Sequence, residues 1–264
     1  MNILFLTLIH HIDTSTRSIF YDLMKKLSDE GHHVHICAPS ERRYKKSTHL
    51  VENEGMKILK VKSLNIQKAN FIEKGVASIL LEYQFLRGIK KHFSEVKFDM
   101  VLYSTPPINF VNVIDFVKKR DGAIAYLLLK DIFPQNAVDM GLMKKEGILH
   151  KYFRRVEKKL YTISDHIGCM SPANVEYVLQ HNPEVDKSKV EENPNTLFPL
   201  DLSVAAETKI ELKKKYNFPI DSILLLYGGN LGKPQGIDFL IEVLDANKDN
   251  KEIFFLIIGA GTEF

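Results

Sequence analysis

Apolar runs alternate along the chain with stretches in which apolar side chains recur every three or four positions. The first run, Asn2–Leu8, reads as a buried strand. Ile19, Phe20, Leu23, Met24 and Leu27 then mark one face of a helix over Ser15–Glu30, stopped by Gly31. Further strands are expected at His33–Ala38 (ended by Pro39), Met56–Val61, Asp99–Tyr103, Ala123–Leu129 and His166–Met170. Helices are expected at Ala69–Phe93, Asn109–Lys119, Ile148–Tyr161 and Ala173–Gln180, the last opened by Ser171 and Pro172. Near-continuous apolar strands separated by helices predict an α/β fold. Its parallel sheet should be covered on both faces and connected by right-handed crossovers.

Periodicity fades over Asn193–Ser203, which holds two prolines and reads as a linker. The expected domains are therefore 1–195 and 196–264. The second begins with a helix over Ala205–Tyr216. An apolar run ending at Tyr227 follows, then a glycine-rich turn to Gly236, a helix over 237–247 and a strand at Ile253–Ile258. A unit this small buries too little surface to stand alone, so it must lean on the first domain or be completed by further chain.

Composition narrows the picture modestly. With 45% hydrophobic and 26% charged residues, the 264-residue chain falls in the globular class. The net charge of +3 is too mild to argue for nucleic acid, and leaves an anionic ligand or a lipid surface open. Cys37 and Cys169 form neither a disulfide framework nor a zinc spacing, and are expected as buried thiols in a reducing compartment. The start, MNILFLTLI, lacks a basic n-region and a cleavage site, and reads as a strand rather than a signal peptide. The apolar runs are far shorter than a membrane span, so any membrane contact is expected to be peripheral.

In open parallel sheets, ligands gather at the carboxyl ends of the strands. After the first strand, Thr16 and Arg17 are candidates to hold an anionic or hydroxyl-rich substrate, and Ser15 or Thr16 to cap the helix. The spacing of the adjacent His10 and His11 would place them in different directions, so the pair is not a metal site by itself. After Ala123–Leu129, Asp131 is placed to act as a base or to orient an acceptor hydroxyl, with Gln135 and Asn136 offering amides to a sugar. Alternatively, Asp131 ends the strand by bonding to loop N–H groups. In the basic segment 144–161, Lys151, Arg154 and Arg155 with Ile148, Leu149 and Tyr152 suit an anionic bilayer surface. A core-facing helix with a solvated basic face reads equally well. In the turn, Gly228, Gly229, Asn230 and Gly236 would let the backbone approach a phosphate, and Lys233 would neutralise it. That turn lacks both GxGxxG and the P-loop pattern, and glycine there can serve geometry alone.

Taken in order, these segments resemble glycosyltransferase family 4. They are GHHVHICAPSERR, KDIFPQNAVDMGLM, YFRRVEKKLYTISDHIGCMSPANVEYV, VEENPN and YGGNLGKPQGIDFL followed by LIIGAGTE. The likeness is strongest to bacterial enzymes of capsule, O-antigen and lipopolysaccharide assembly. It implies a GT-B fold of two facing Rossmann-like domains. The first would bind the acceptor; the second, of which 196–264 is the opening β-α-β part, would bind a nucleotide sugar. It further implies transfer with retention from a UDP-sugar co-substrate, with no metal or cofactor. The acceptor would be a saccharide linked to polyprenyl diphosphate, met at the cytoplasmic face of the membrane.

Many members carry arginine where this chain has Asn230 and lysine where it has Gln235; Lys233 is expected to take over the charge. The family's paired glutamates lie beyond the second donor-domain strand, so the chain alone is expected to bind donor poorly or not at all and to turn over negligibly. Two other readings stand beside transfer: a non-catalytic module binding acceptor or membrane, and a nucleotide-sugar isomerase of the same fold.

Overall fold

The computed structural model describes residues 1–9, 12, 18–66, 71–200 and 203–263, without the side chains of 71–76, 78 and 79. Contacts divide it into two compact units, Met1–Phe198 and Pro199–Phe264. The first unit is built from β1 (Asn2–Leu6), α1 (Ile19–Asp29), β2 (His33–Glu41), β3 (His49–Asn53), β4 (Met56–Ser63), α2 (Phe71–His92), β5 (Met100–Ser104), α3 (Val111–Asp121), β6 (Ile124–Leu129), α4 (Gln135–Asp139), α5 (Ile148–Ile163), β7 (His166–Cys169), α6 (Pro172–His181) and β8 (Val190–Glu192). The second holds α7 (Ala206–Lys215), β9 (Ile223–Asn230), α8 (Ile237–Ala246) and β10 (Ile253–Ala260).

Eight strands form one sheet in the order β3-β4-β2-β1-β5-β6-β7-β8, parallel except for β3, which runs antiparallel along the edge beside β4. Alternate residues of each central strand face opposite ways, as the two-residue period requires. Ile3 and Phe5 of β1 pack with Tyr21 and Met24 of α1 on one face. Leu4 and Leu6 pack on the other face, in the cluster that includes Phe85 of α2, Val113 and Val117 of α3, Leu160 of α5 and Val178 of α6. Phe85 and Phe110 stack there with centroids 5.2 Å apart. Burying side chains of this size is worth about 1.5–3 kcal/mol each, and this is what holds the sheet between its helices. Both cysteines are buried and free, and burial raises both thiols, Cys169 to about 11.

Several expectations shift. The helix read from Ser15 begins at Ile19, and its cap is Ser18, whose Oγ accepts from Tyr21 N–H at 3.1 Å. Three elements went unforeseen: the exposed edge strand β3, the five-residue α4 and the three-residue β8. The turn expected at Gly228 starts later, because β9 continues through Asn230. Gly228 and Gly229 pair with Ile258 and Gly259 of β10 as sheet residues. A Cβ at Gly259 would fall on Gly229 O and one at Gly261 on Leu231 O, so β10 and the residue that follows it need glycine to lie this close to β9 and Leu231.

Gly168 of β7 is a second close approach. A Cβ there would lie 2.7 Å from Tyr126 Oη and 2.7 Å from Asn193 Cβ. Tyr126 Oη donates to Glu191 at 2.6 Å and accepts from Asn193 Nδ2 at 2.8 Å, so the missing side chain lets β6 reach across β7 to the end of β8. Gly168→Ala should cost about 1–3 kcal/mol through overpacking. It should appear as a lower urea midpoint with unchanged slope, and an unaltered midpoint would show that Tyr126 moves aside freely.

Candidate active site

The parallel strands of the first unit end together, and their following loops make the candidate site. Thr7, just past β1, is buried, and its Oγ1 accepts from Ile9 N–H at 3.1 Å. Thr16 and Arg17, the acceptor candidates of that loop, lie outside the described residues, as do His10 and His11.

The ends of β5 and β6 are joined through one hydroxyl. Buried Thr105 donates from Oγ1 to Asp131 O at 2.9 Å and accepts Asp131 N–H at 3.3 Å. Both backbone groups of Asp131 are thereby satisfied by a neighbouring strand. Its carboxylate makes no hydrogen bond or ion pair among the described residues. Among the described residues, no loop N–H donates to that carboxylate. Partial desolvation raises the Asp131 carboxyl above the ordinary aspartate value. Desolvation lowers half-buried Lys130 from the ordinary lysine value, while its Nζ donates to Asn193 O at 3.3 Å. Desolvation thus disfavours the charge on half-buried Lys130 and, although the residue is exposed, on Asp131, as is common where a protein prepares a group for proton transfer.

The loop after Asp131 is anchored on both sides. Phe133 packs edge-on against Phe153 of α5 at 5.0 Å. At the far end of α4, Leu142 N–H and Met143 N–H both donate to Ala137 O, and Gly141 takes the left-handed conformation (φ +70°) that this closure needs. Of the two amides expected to meet a sugar, Gln135 donates from Nε2 to Asp139 at 2.6 Å. Asn136 keeps a buried Oδ1 with no hydrogen-bond partner among the described residues.

Helix α5 splits its basic residues. Lys151 and Arg155 are exposed, beside exposed Ile148, Leu149 and Tyr152. Arg154 differs from the bilayer-facing role read from the sequence. It pairs with buried Glu157 and donates from Nη2 to His181 O and Asn182 Oδ1, each at 2.8 Å, locking α5 to the end of α6. Desolvation raises the Glu157 carboxyl even though Arg154 and Tyr161 both hydrogen-bond to it.

In the second unit, β9 runs into a single turn of 3-10 helix at Lys233–Gln235 and then α8. Gly236 precedes α8 in the left-handed conformation (φ +64°), and no side chain caps the helix. By contrast, Ser18 and Ser171 cap α1 and α6. The first N–H groups of α8 therefore keep their capacity for an anion. Asn230 is engaged within the loop, its Nδ2 donating to Gln235 Oε1 at 3.0 Å. A side chain at Gly232 would collide with Asn230 Nδ2 at 2.7 Å, so that glycine makes room for the bond. Lys233 is exposed and has no ion pair among the described residues. Of the five residues expected at the phosphate, Lys233 and Gly236 lie in the turn, Gly228 and Gly229 within β9, and Asn230 at its end in the clasp. Among the described residues, no group of three or more His, Cys, Asp or Glu side chains is placed to hold a metal ion.

No model of a known protein family matches the chain. Over 199 residues it is 26% identical to a probable glycosyltransferase, WbjE, of Pseudomonas aeruginosa; the match covers 74% of this chain and 47% of that protein. The chain thus spans about half the length of the curated relative it matches. Among solved structures it is similar to the E. coli trehalose-6-phosphate protein bound with UDP-2-fluoro glucose, with TM-score 0.67 and 8% identity, over 99% of this chain and 65% of that one. It is also similar to Anabaena HepE in complex with UDP and glucose, with TM-score 0.61 and 10% identity, over 98% and 61% of the two chains. Arabidopsis thaliana UGT89C1 complexed with UDP-L-rhamnose matches with TM-score 0.56 and 14% identity, over 98% and 70%. Identities this low establish the fold: the α/β, Rossmann-like architecture of GT-B glycosyltransferases.

The environment of Asp131 carries a consequence for stability. Its folded-state value is raised, so its contribution to stability is fully present below the unfolded aspartate value and is lost as pH rises through the folded one. Asp131→Asn should therefore unfold at a higher urea midpoint than the parent at about pH 7. The gap should close as pH falls toward about 3.9. Equal midpoints at neutral pH would show a well-solvated carboxylate.

Proposed function

We propose that the chain belongs to an enzyme that moves a sugar from a nucleotide-sugar donor, a UDP-sugar, to a saccharide hydroxyl with retention, in surface-polysaccharide assembly. The observation that carries this reading is the Asp131 carboxylate. Its backbone is fixed at a strand end through Thr105, and its side chain is raised and unengaged among the described residues. In the reaction, the acceptor hydroxyl hydrogen-bonds to Asp131 and attacks the anomeric carbon on the face from which the diphosphate leaves, as retention in a single displacement requires. The bond from that carbon to the diphosphate oxygen breaks, its electron pair leaves with UDP, and Asp131 receives the hydroxyl proton. A carboxylate with a raised value is the better base for this step. The uncapped start of α8 and Lys233 would meet the departing diphosphate, where charge develops in the transition state. The first unit serves as the acceptor domain and the second as part of the donor domain.

The test has two arms. UDP titrated into the whole protein should move the backbone amide signals of Asn230–Gly236 before others. Lys233→Ala should weaken that binding about ten- to hundredfold, the loss of one charge-assisted contact. In the whole protein, Asp131→Asn should lower the transfer rate about 10²–10⁴-fold with donor binding intact. Amides that stay still at millimolar UDP would remove the donor assignment. Unchanged turnover in Asp131→Asn would remove the base.

The acceptor is proposed to be linked to polyprenyl diphosphate and met at the inner membrane face. Ile148 is 89% exposed and Leu142 71%, with Leu149 and Tyr152 also outside and Lys151 and Arg155 beside them. Apolar tips ringed by cations fit an anionic interface. Among the described residues no helix is long and apolar enough to cross a membrane. Lys151→Glu with Arg155→Glu should abolish flotation with phosphatidylglycerol vesicles, and Ile148→Asp with Leu149→Asp should do the same. Flotation that survives both pairs would exclude this face. Arg154→Glu is a poor probe, since it breaks the α5–α6 junction.

A further inference from the structure

A cavity of about 300 Å³ lies beside the Asp131 loop, walled by Ile132 and Gln135 on one side and by His150, Arg154, Tyr177 and His181 on the other. Ile132 and Gln135 follow Asp131 by one and four residues, so the cavity is lined by the loop that begins at the candidate catalytic carboxylate.

Its hydrogen-bonding character follows from the histidine tautomers. His150 is buried at 6% exposure, and its Nδ1 faces Glu146 N–H at 3.4 Å. An N–H can only donate, so Nδ1 accepts and the ring proton sits on Nε2. That Nε2–H has no partner among the described residues. His181 is the opposite case. Its Nδ1 lies 2.9 Å from Tyr177 O, which can only accept, so Nδ1 carries the proton and Nε2 is an acceptor. With both rings neutral, two residues that line the cavity each keep one ring nitrogen without a partner among the described residues, a donor on His150 and an acceptor on His181. Tyr177 and His181 also stack at 3.9 Å and 17°, giving an aromatic wall.

Charge selects the ligand class. Lys145 and Arg154 are balanced by Glu146 and Glu157 in the same lining. Arg154 is already held by Glu157, Asn182 and His181 O. No surplus positive charge remains to hold a phosphate. A paired donor and acceptor with an aromatic wall suit an uncharged ligand that offers hydroxyls on its edge and C–H groups on its face.

We propose that this cavity binds an uncharged sugar unit of the acceptor, distant from the hydroxyl that reacts, with His150 donating to it, His181 accepting from it and the Tyr177–His181 pair supporting its ring. The role as an acceptor subsite rests on the transfer reading above; the binding of a sugar does not. The cavity would then sort acceptors by the unit beyond the one glycosylated.

The test uses the 264-residue chain and three probes: methyl β-D-glucopyranoside, methyl β-D-galactopyranoside and methyl α-L-rhamnopyranoside. Each is titrated to about 50 mM, the range where a few hydrogen bonds give measurable binding. Histidine ring signals are followed by nuclear magnetic resonance. At least one glycoside should move the signals of both His150 and His181, whereas inorganic phosphate should move neither. His181→Ala, at an exposed position, should keep the fold and weaken binding about three- to tenfold, the loss of one hydrogen bond. Tyr177→Ala, which removes the stack, should weaken it as well. The proposal fails if no glycoside moves both rings, if phosphate moves them instead, or if both variants bind as the parent does. Glycoside binding alongside still UDP amides would keep this site and remove the transferase reading. The reverse pattern would do the opposite.

Discussion

A single hydroxyl sets the position of the group on which the proposed chemistry turns. A residue just past a parallel strand has lost its ladder partners, and its backbone N–H and C=O must bond elsewhere. Thr105 supplies both bonds to Asp131 from the end of the adjacent strand. A carboxylate often satisfies such groups itself. Among the described residues it holds none of them, and desolvation raises it above the ordinary aspartate value although the residue is exposed. Position and basicity thus come from separate sources: the first from Thr105, the second from the crowding of the strand ends.

The surrounding layers make this possible. A parallel sheet has to hide both faces, and α1 covers one while α2, α3, α5 and α6 pack on the other. Helix α5 carries the most varied load. Leu160 and Tyr161 enter the core, Phe153 holds the Asp131 loop, Arg154 and Glu157 clamp α6, and Ile148 to Tyr152 lie outside. The basic residues of such a helix cannot be treated as one set. One residue, a rotation of about 100°, separates an arginine that builds the fold from one that meets solvent.

Much of the α/β pattern was readable from periodicity, because strands buried on both faces and long amphipathic helices leave strong signals. The edge strand β3 was not. It is exposed along most of its length, so its residues, HLVEN, show no clear apolar face. Helix α4 is too short for a period, and β8 offers three residues, VEE, of which two are glutamates. At the site, the position of Asp131 after β6 could be read from order alone. The hydroxyl that frees its carboxylate could not, since Thr105 is 26 residues away. The glycines of the donor loop misled in a specific way. Gly228 and Gly229 look like a turn but extend a strand, and the tight contacts belong to Gly259 and Gly261. For His150 and His181, nothing in the residue order signals that two helices would bring both residues to one cavity; the spacing between them is tertiary.

The bond between Asn230 and Gln235 changes the electrical character of the donor loop. Two positions that could each have carried a cation instead hold neutral amides, bonded to each other, and the segment from Gly228 to Gly236 retains one lysine. Attraction between this loop and a diphosphate would therefore vary little with ionic strength, since a single exposed charge gives salt little to screen. The same economy concentrates vulnerability. Acetylation of one amine would leave the loop with backbone dipoles alone.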